Sequence, residues 1–112
     1  MQVQATAKFV SISPRKVRLM LQTLRGRPVA EALTLLRFTP RPAAKQVAKV
    51  VQSAAANAEN NFNLRPDDLR IHAIYAGDGR TLRRYKPRAR GRVGAILRRT
   101  CHITVVVSDE EA

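Results

Sequence analysis

"RTLRRYKPRARGRVGAILRR", residues 80–99, contains nine Arg or Lys residues and no acidic residue. This segment separates two apolar, β-branched stretches, "LRIHAIYA" at 69–76 and "RTCHITVVV" at 99–107. Such stretches are typical of buried strands, whereas nine cations enter an apolar core only at a prohibitive desolvation cost. The sequence therefore predicts a basic segment that projects from the body of the protein between two core strands.

Two positions compete for the turn between these strands. Asp78-Gly79 is a strong two-residue hairpin signal, but a reversal there leaves the apolar stretch 99–107 in need of another partner. The alternative is a long hairpin centred on residue 89, in which 71–75 pairs with 103–107. We favour the long hairpin, with Asp78-Gly79 as a bulge or twist point. About ten residues per side then reach roughly 30 Å from the body if extended.

The rest of the chain predicts one further strand and three helices. Residues 2–9 alternate, with one apolar side formed by Val3, Ala5, Ala7 and Phe9. The first helix has Ser13 at its N-cap, Pro14 at its first position and Gly26 just past its end. Its apolar face comprises Val17, Met20, Leu21 and Leu24. A second helix follows Pro28, and Ala-rich residues 42–60 predict the third, with a stripe formed by Val47, Val50, Val51, Ala54, Ala55 and Ala58.

These elements predict an α+β fold in which three helices pack on a small antiparallel three-stranded sheet and a long β-hairpin arm protrudes. We expect one domain over residues 1–112, with a body formed by 1–79 and 100–112 and an arm at 80–99. Aromatic residues make up only 4% of the chain and Trp is absent, so the core is expected to be aliphatic.

Charge indicates the class of partner. The chain carries 21 Lys or Arg against 8 Asp or Glu, for a net charge of +13, and sixteen of the basic residues are Arg. This excess attracts polyanions, and guanidinium groups match phosphate oxygens and stack on bases. Arg15 and Lys16 also occupy the first turn of a helix, where the macrodipole disfavours cations by several tenths of a kcal/mol unless a phosphate binds there. An ordinary exposed helix edge is the alternative explanation for Arg15, Lys16 and Arg18.

Other chemistry finds little support in the residues. One cysteine, Cys101, excludes an internal disulfide and suits a reducing compartment. Adjacent strand residues Cys101 and His102 point to opposite faces, and with His72 they are too few for a closed zinc site. Neither a phosphate-cradling Gly-rich loop nor a nucleophile with its base is visible, and no apolar run approaches a membrane span. We expect no enzyme, metal, cofactor, membrane contact or homo-oligomer, and a cytoplasmic location.

A family resemblance makes the expectation specific. "SPRKVR" at 13–18, "NAENN" at 57–61, "PRARGR" at 87–92 and "RTCHITVVV" at 99–107 are together highly specific. The sequence closely resembles the bacterial type of the large-subunit ribosomal protein twenty-two family, from about Thr6 to Asp109. The resemblance implies a structural constituent that binds large-subunit ribosomal RNA, supports assembly, contacts neighbouring ribosomal proteins and lines the nascent-peptide exit tunnel with its hairpin arm.

The charge pattern and the resemblance together assign roles to individual residues. We expect RNA to be bound by Lys8, Arg15, Lys16, Arg18, Arg25, Arg80, Arg83, Arg84, Lys86, Arg88, Arg90, Arg92, Arg98 and Arg99. The resemblance implies a tunnel-lining tip, facing the nascent polypeptide, formed by Lys86, Pro87, Arg88, Ala89, Arg90, Gly91, Arg92 and Val93. In the family, loss of the segment matching Leu82, Arg83 and Arg84 relieves macrolide inhibition. These three residues are therefore expected to set the arm's position, and macrolides to be affected only indirectly.

Two other classes of protein compete with this interpretation. Architectural DNA-binding proteins also clasp a polyanion with basic β-arms, and Pro87 could act as a wedge at the tip, but such proteins usually dimerise and no dimer seam is evident in the helices. A membrane-active cationic hairpin fits poorly, because Tyr85 is the only aromatic residue in the arm.

Overall fold

Three helices and three strands form the body, and a two-stranded ribbon extends from it, in a computed structural model that describes residues 2–87, 89–91 and 93–109. The strands are β1 (Gln2–Val10), β2 (Arg70–Asp78), β3 (Leu82–Pro87), β4 (Val93–Arg98) and β5 (Cys101–Ser108). The helices are α1 (Pro14–Leu21), α2 (Val29–Phe38) and α3 (Pro42–Phe62), with short 3-10 turns at Pro66–Asp68 and Ala89–Gly91. The predicted α+β fold, with its antiparallel three-stranded sheet and its hairpin, is confirmed.

Strand β5 is the centre of the body. It lies between β1 and β2 and pairs antiparallel with both, so its backbone is satisfied along both edges. Its side chains accordingly form the most buried strand of the protein, with four residues at 0% exposure: Cys101, Ile103, Val105 and Val107. Helix α3 packs on β1 and β5, α1 packs on β2, and α2 packs on α3.

The long helix α3 meets the sheet through small side chains. Five of the six predicted stripe positions are buried, namely Val47, Val50, Val51, Ala54 and Ala58, whereas Ala55 is only half-buried. Alanine lets the helix approach the sheet closely, and close packing of aliphatic groups supplies the main stabilising term. The helix ends where Asn63 adopts a left-handed conformation, φ 55°, and donates its N–H to the Ala58 carbonyl, an arrangement that caps the free carbonyl end.

Helix α1 begins as predicted and ends earlier. Pro14 occupies the first turn and Ser13 the N-cap, although the Ser13 side chain makes no capping hydrogen bond. The helix ends at Leu21, not beside Gly26, and the chain continues in tighter turns in which the Leu24 N–H donates to the Leu21 carbonyl at 3.1 Å. These turns keep Leu24 buried, so the predicted apolar face is correct although the helical span is shorter.

Phe9 was expected to face inward, and the structure contradicts that expectation. A bulge lies between Ala7 and Val10 of β1, and Phe9 within it has φ 57° and is 60% exposed. Val10 takes the inward position. The Phe9 N–H donates to Nδ1 of His102 at 3.1 Å, and the two rings meet edge to face at 4.9 Å. A regular alternation cannot reveal a bulge, since one extra residue reverses the side that every later residue faces.

The long hairpin is confirmed, with a small change of register. Ile71 pairs with Val107, as a hairpin centred on residue 89 requires. A bulge between Ile71 and Ala73 then adds one residue to β2 relative to β5. A second extra residue lies at the neck, the junction of body and ribbon, where the three residues 79–81 lie opposite the two residues 99–100. The ribbon β3–β4 therefore closes around residue 90, and the irregularity predicted near Asp78-Gly79 is present at its base.

The ribbon projects from the body. The principal extents of the molecule are 62 × 26 × 20 Å and its Cα radius of gyration is 17.0 Å, against about 13 Å for a compact domain of this length. The strands β3 and β4 pair with each other and pack little against the rest of the protein.

The neck of the ribbon depends on a close approach at Gly79. Its N–H donates to the Thr100 carbonyl at 2.9 Å, and the Thr100 hydroxyl donates to the Arg80 carbonyl at 2.6 Å. A methyl group placed on Gly79 would lie 2.5 Å from Thr100 Oγ1 and 3.1 Å from the Thr100 carbonyl carbon. The glycine of the Asp78-Gly79 pair is thus required by packing between two strands.

Replacing Gly79 by alanine tests this packing. We expect Gly79→Ala to lower the free energy of unfolding by about 1–3 kcal/mol, because the added methyl forces the strands apart at the neck. Gly77→Ala is the matched control, since nothing lies within 4 Å of a methyl group at that position. Urea unfolding of both variants measures the difference, and equal stabilities would contradict the proposed close approach.

Candidate nucleic-acid interface

The ribbon carries exposed cations on both of its faces. Lys86 and Arg98 share one face by register, because Arg98 pairs with Leu82 and residues 82 and 86 lie on the same side of β3. Arg83 lies on the other face, together with Tyr85 and with Leu97, which pairs with Arg83 across the ribbon. The side chains of Lys86, Arg98, Arg83, Tyr85 and Leu97 are all exposed. Cations on two faces suit a ribbon that is surrounded by negative charge more than one that rests on a flat surface.

The tip contains a tight turn at residues 89–91. Ala89–Gly91 forms a 3-10 turn in which Arg90 has φ 63° and Gly91 has φ 71°. Pro87, Ala89, Arg90 and Gly91 are exposed. Of the other predicted arm residues, Arg88 and Arg92 lie outside the described residues. Leu82, Arg84 and Val93 are described by their backbone, which belongs to β3 and β4.

More cations surround the base of the ribbon. Arg80 and Arg99 are exposed at the neck. Arg15 and Lys16 are exposed in the first turn of α1, a turn without an acidic residue. Lys8 is exposed on the edge strand β1. Lys16 and residues 97–100 line one cleft, and Gly79 is hydrogen-bonded to Thr100. The fold therefore brings the start of α1 and the two chain segments at the base of the ribbon into one basic region, although they are far apart in the sequence.

Two of the predicted RNA-binding residues also have a structural task. Arg18 donates from Nε to the Ala76 carbonyl at 2.9 Å, and its Nη2 lies 3.6 Å from a carboxylate oxygen of Asp78. Arg25 donates to the Ile74 carbonyl from Nε at 3.4 Å and from Nη2 at 3.3 Å. Both guanidinium groups thus cover carbonyls on an edge of β2, which protects that edge from pairing with another chain. Each side chain remains exposed and keeps further N–H donors.

Sequence reasoning missed the aromatic side chains of the surface. All five are exposed, by 47–78%: Phe9, Phe38, Phe62, Tyr75 and Tyr85. The composition could have indicated this exposure, because a core predicted to be aliphatic implies that the few aromatic side chains lie on the surface. An exposed aromatic ring beside Arg side chains can stack on an unpaired base, and Tyr85 on the ribbon has that setting.

The remaining candidate groups serve the body. Cys101 is fully buried, and burial raises the pKa of its thiol more strongly than the Arg18 charge lowers it, so the thiol stays protonated near neutral pH. His102 accepts a hydrogen bond from the Phe9 backbone. Within residues 2–87, 89–91 and 93–109, no group of three His, Cys, Asp or Glu side chains could hold a metal ion. None of the helices in those ranges has the length and apolar character of a membrane span.

Comparison with known proteins identifies the family. Residues 5–108 match the family described as "Ribosomal protein L22p/L17e". The chain belongs to this family of ribosomal proteins. A relative from Dehalococcoides mccartyi, titled "Large ribosomal subunit protein uL22", is 56% identical over 109 residues, which cover 97% of this chain and 100% of the relative. The relatives of the same title from Clostridium novyi and Pediococcus pentosaceus are 52% and 53% identical, over 97% and 96% of this chain and 98% and 92% of their own lengths.

Family membership confirms three of the predictions made from the sequence. The family is the one that the motifs indicated, the protein is a ribosomal component with a cytoplasmic location, and it is not an enzyme. The match covers the body and the ribbon alike, so both parts belong to the region that the family shares.

Proposed function

We propose that the protein is a structural constituent of the large ribosomal subunit that binds large-subunit ribosomal RNA and supports assembly by joining distant RNA segments. One observation carries the proposal. A ribbon with exposed cations on both faces stands clear of the body, in a molecule whose longest extent is 62 Å. The titles of the relatives agree with the subunit.

RNA supplies what the free ribbon lacks. A two-stranded ribbon is marginally stable alone, and a net charge of +13 repels itself. Phosphates on both sides of the ribbon remove the repulsion and hold the strands in place. Most contacts are to phosphate and sugar, so that recognition depends on RNA shape more than on base edges. Tyr85 adds stacking on the face it shares with Arg83.

The finer part of the proposal concerns the exit tunnel. The tip, residues 86–93, lines the tunnel and faces the nascent polypeptide, and neighbouring ribosomal proteins contact the body. A projecting two-stranded ribbon supports this placement, because such a shape can pass between RNA helices to an interior channel. Leu82, Arg83 and Arg84 open β3 directly after the neck, so they set the distance from the body to the tip. Macrolides are affected through the shape of the tunnel, without contact to these residues.

The dependence of RNA affinity on salt tests the main proposal. If about ten phosphates are neutralised, log affinity for large-subunit RNA falls with log salt at a slope of about −7 to −9. A variant with Arg83, Arg84, Arg88, Arg90 and Arg92 all replaced by Ala should lose about half of that slope and keep its melting temperature, since the arm contributes nothing to the core. A slope near zero for the unaltered protein contradicts RNA binding. A large fall in melting temperature contradicts a projecting arm, and equal affinity for duplex DNA favours the architectural alternative.

Deletion of residues 82–84 tests the placement of the tip. Removing three residues shortens the outgoing strand and, because the number is odd, reverses the face of every later residue in β3. Ribosomes with this deletion should assemble and show altered sensitivity to macrolides in growth assays. Alanine at all three positions is the control that keeps the length, and it should change sensitivity less. Unaltered sensitivity after the deletion would argue against a tip inside the tunnel.

A further inference from the structure

A cleft separates the start of α1 from the base of the ribbon. It encloses about 390 Å³, which lies in the range of small-ligand sites. The body contributes Ser11, Ser13, Lys16 and Thr100, and the end of the arm contributes Leu97, Arg98 and Arg99. The lining thus contains three cations, three hydroxyl groups, one half-exposed Leu97 side chain and no acidic residue.

The cations of this cleft come together only through the fold. Lys16 belongs to α1, whereas Arg98 and Arg99 follow about eighty residues later at the end of β4. All three are exposed. The described part of the chain gives none of them a carboxylate partner. Three like charges around one space repel each other, and an anion in that space removes the repulsion.

The backbone at the cleft adds to the positive electrostatic potential of these cations. Helix α1 starts here, its Ser13 hydroxyl makes no capping hydrogen bond, and its first turn has no acidic residue to offset Arg15 and Lys16. The start of the helix, at Ser13 and Lys16, lines a space that Arg98 and Arg99 also line, so the positive end of the helix lies beside these cations. The cation-lined cleft is the primary observation, and the helix start reinforces it.

The shape of the cleft selects among anions. The cleft is partly open to solvent, and Leu97 gives an apolar wall beside the cations and hydroxyls. A chain of phosphates and sugars fits such a lining, because phosphate oxygens meet the cations and a ribose meets the leucine. We propose that one strand of RNA backbone runs through this cleft, with its phosphates held by Lys16, Arg98 and Arg99. The inference rests on the proposed RNA binding and assigns it a specific site.

A strand bound in this way has a mechanical consequence. It contacts the body through Lys16 and the ribbon through Arg98 and Arg99 at the same time. The ribbon otherwise joins the body through the two chain segments of the neck and their hydrogen bonds at Gly79 and Thr100. The RNA strand therefore acts as an additional brace that fixes the direction of the ribbon relative to the body.

Charge-matched triple variants of the full chain test the site with protein-free large-subunit RNA. One variant combines Lys16→Gln, Arg98→Gln and Arg99→Gln. The control combines Lys45→Gln, Arg65→Gln and Arg70→Gln, three exposed cations outside the cleft with the same total charge change. At about 0.1 M potassium chloride, the cleft variant should bind at least tenfold more weakly than the control, with a salt slope smaller by about 2–3.

Phosphate ethylation interference then tests whether one RNA strand bridges both walls. Ethylation of a phosphate that Lys16 contacts should block binding of the unaltered protein but not of Lys16→Gln, and the same comparison with Arg99→Gln identifies the phosphates that Arg99 contacts. We expect the two sets of phosphates to be the same or adjacent in the RNA. Equal affinities of the two triple variants, or relief at unrelated phosphates, would overturn the proposal while leaving RNA binding intact. Absence of salt-dependent binding by the unaltered protein would instead overturn the proposed function itself.

Discussion

The high cost of removing a cation from water without a partner shapes this protein. The basic segment at 80–99 has no acidic residue of its own, so packing it on the body would leave its charges both desolvated and close to one another. The apolar strands on either side have the opposite requirement and form the sheet. One continuous hairpin satisfies both demands, with β2 and β5 in the body and β3 and β4 outside it.

The same arrangement determines how the ribbon is held. Strand β5 is the buried centre of the sheet and is also the direct continuation of the ribbon, so the most buried strand of the body sets the direction of the arm. At the junction, Gly79 and Thr100 lie so close together that a side chain at position 79 would force the two strands apart. The basic start of α1 lies beside the end of β4 and forms the cleft in which we place an RNA strand. The body thus orients the arm and takes part in the same electrostatic surface.

The sequence predicted the elements because their signals are local. Alternation marked β1, apolar β-branched stretches marked β2 and β5, helical spacing marked the buried face of α1, and the absence of acidic residues marked the arm. Tertiary contacts account for what was missed. Phe9 points outward because it lies in a bulge, where its backbone N–H donates to the His102 ring. Helix α1 ends at Leu21, and the tighter turns that follow keep Leu24 in the core. Arg18 and Arg25 cover the carbonyls of β2, a task no sequence pattern reveals. The cleft joins residues some eighty positions apart.

The central claim is that the cation-rich ribbon stands clear of the body, and small-angle X-ray scattering of the free protein tests it most directly. At low protein concentration and moderate salt, an extended ribbon predicts a radius of gyration near the 17.0 Å of the Cα trace. A value near 13 Å, as expected for a compact domain of this length, would mean that the arm folds back on the body and would contradict the account.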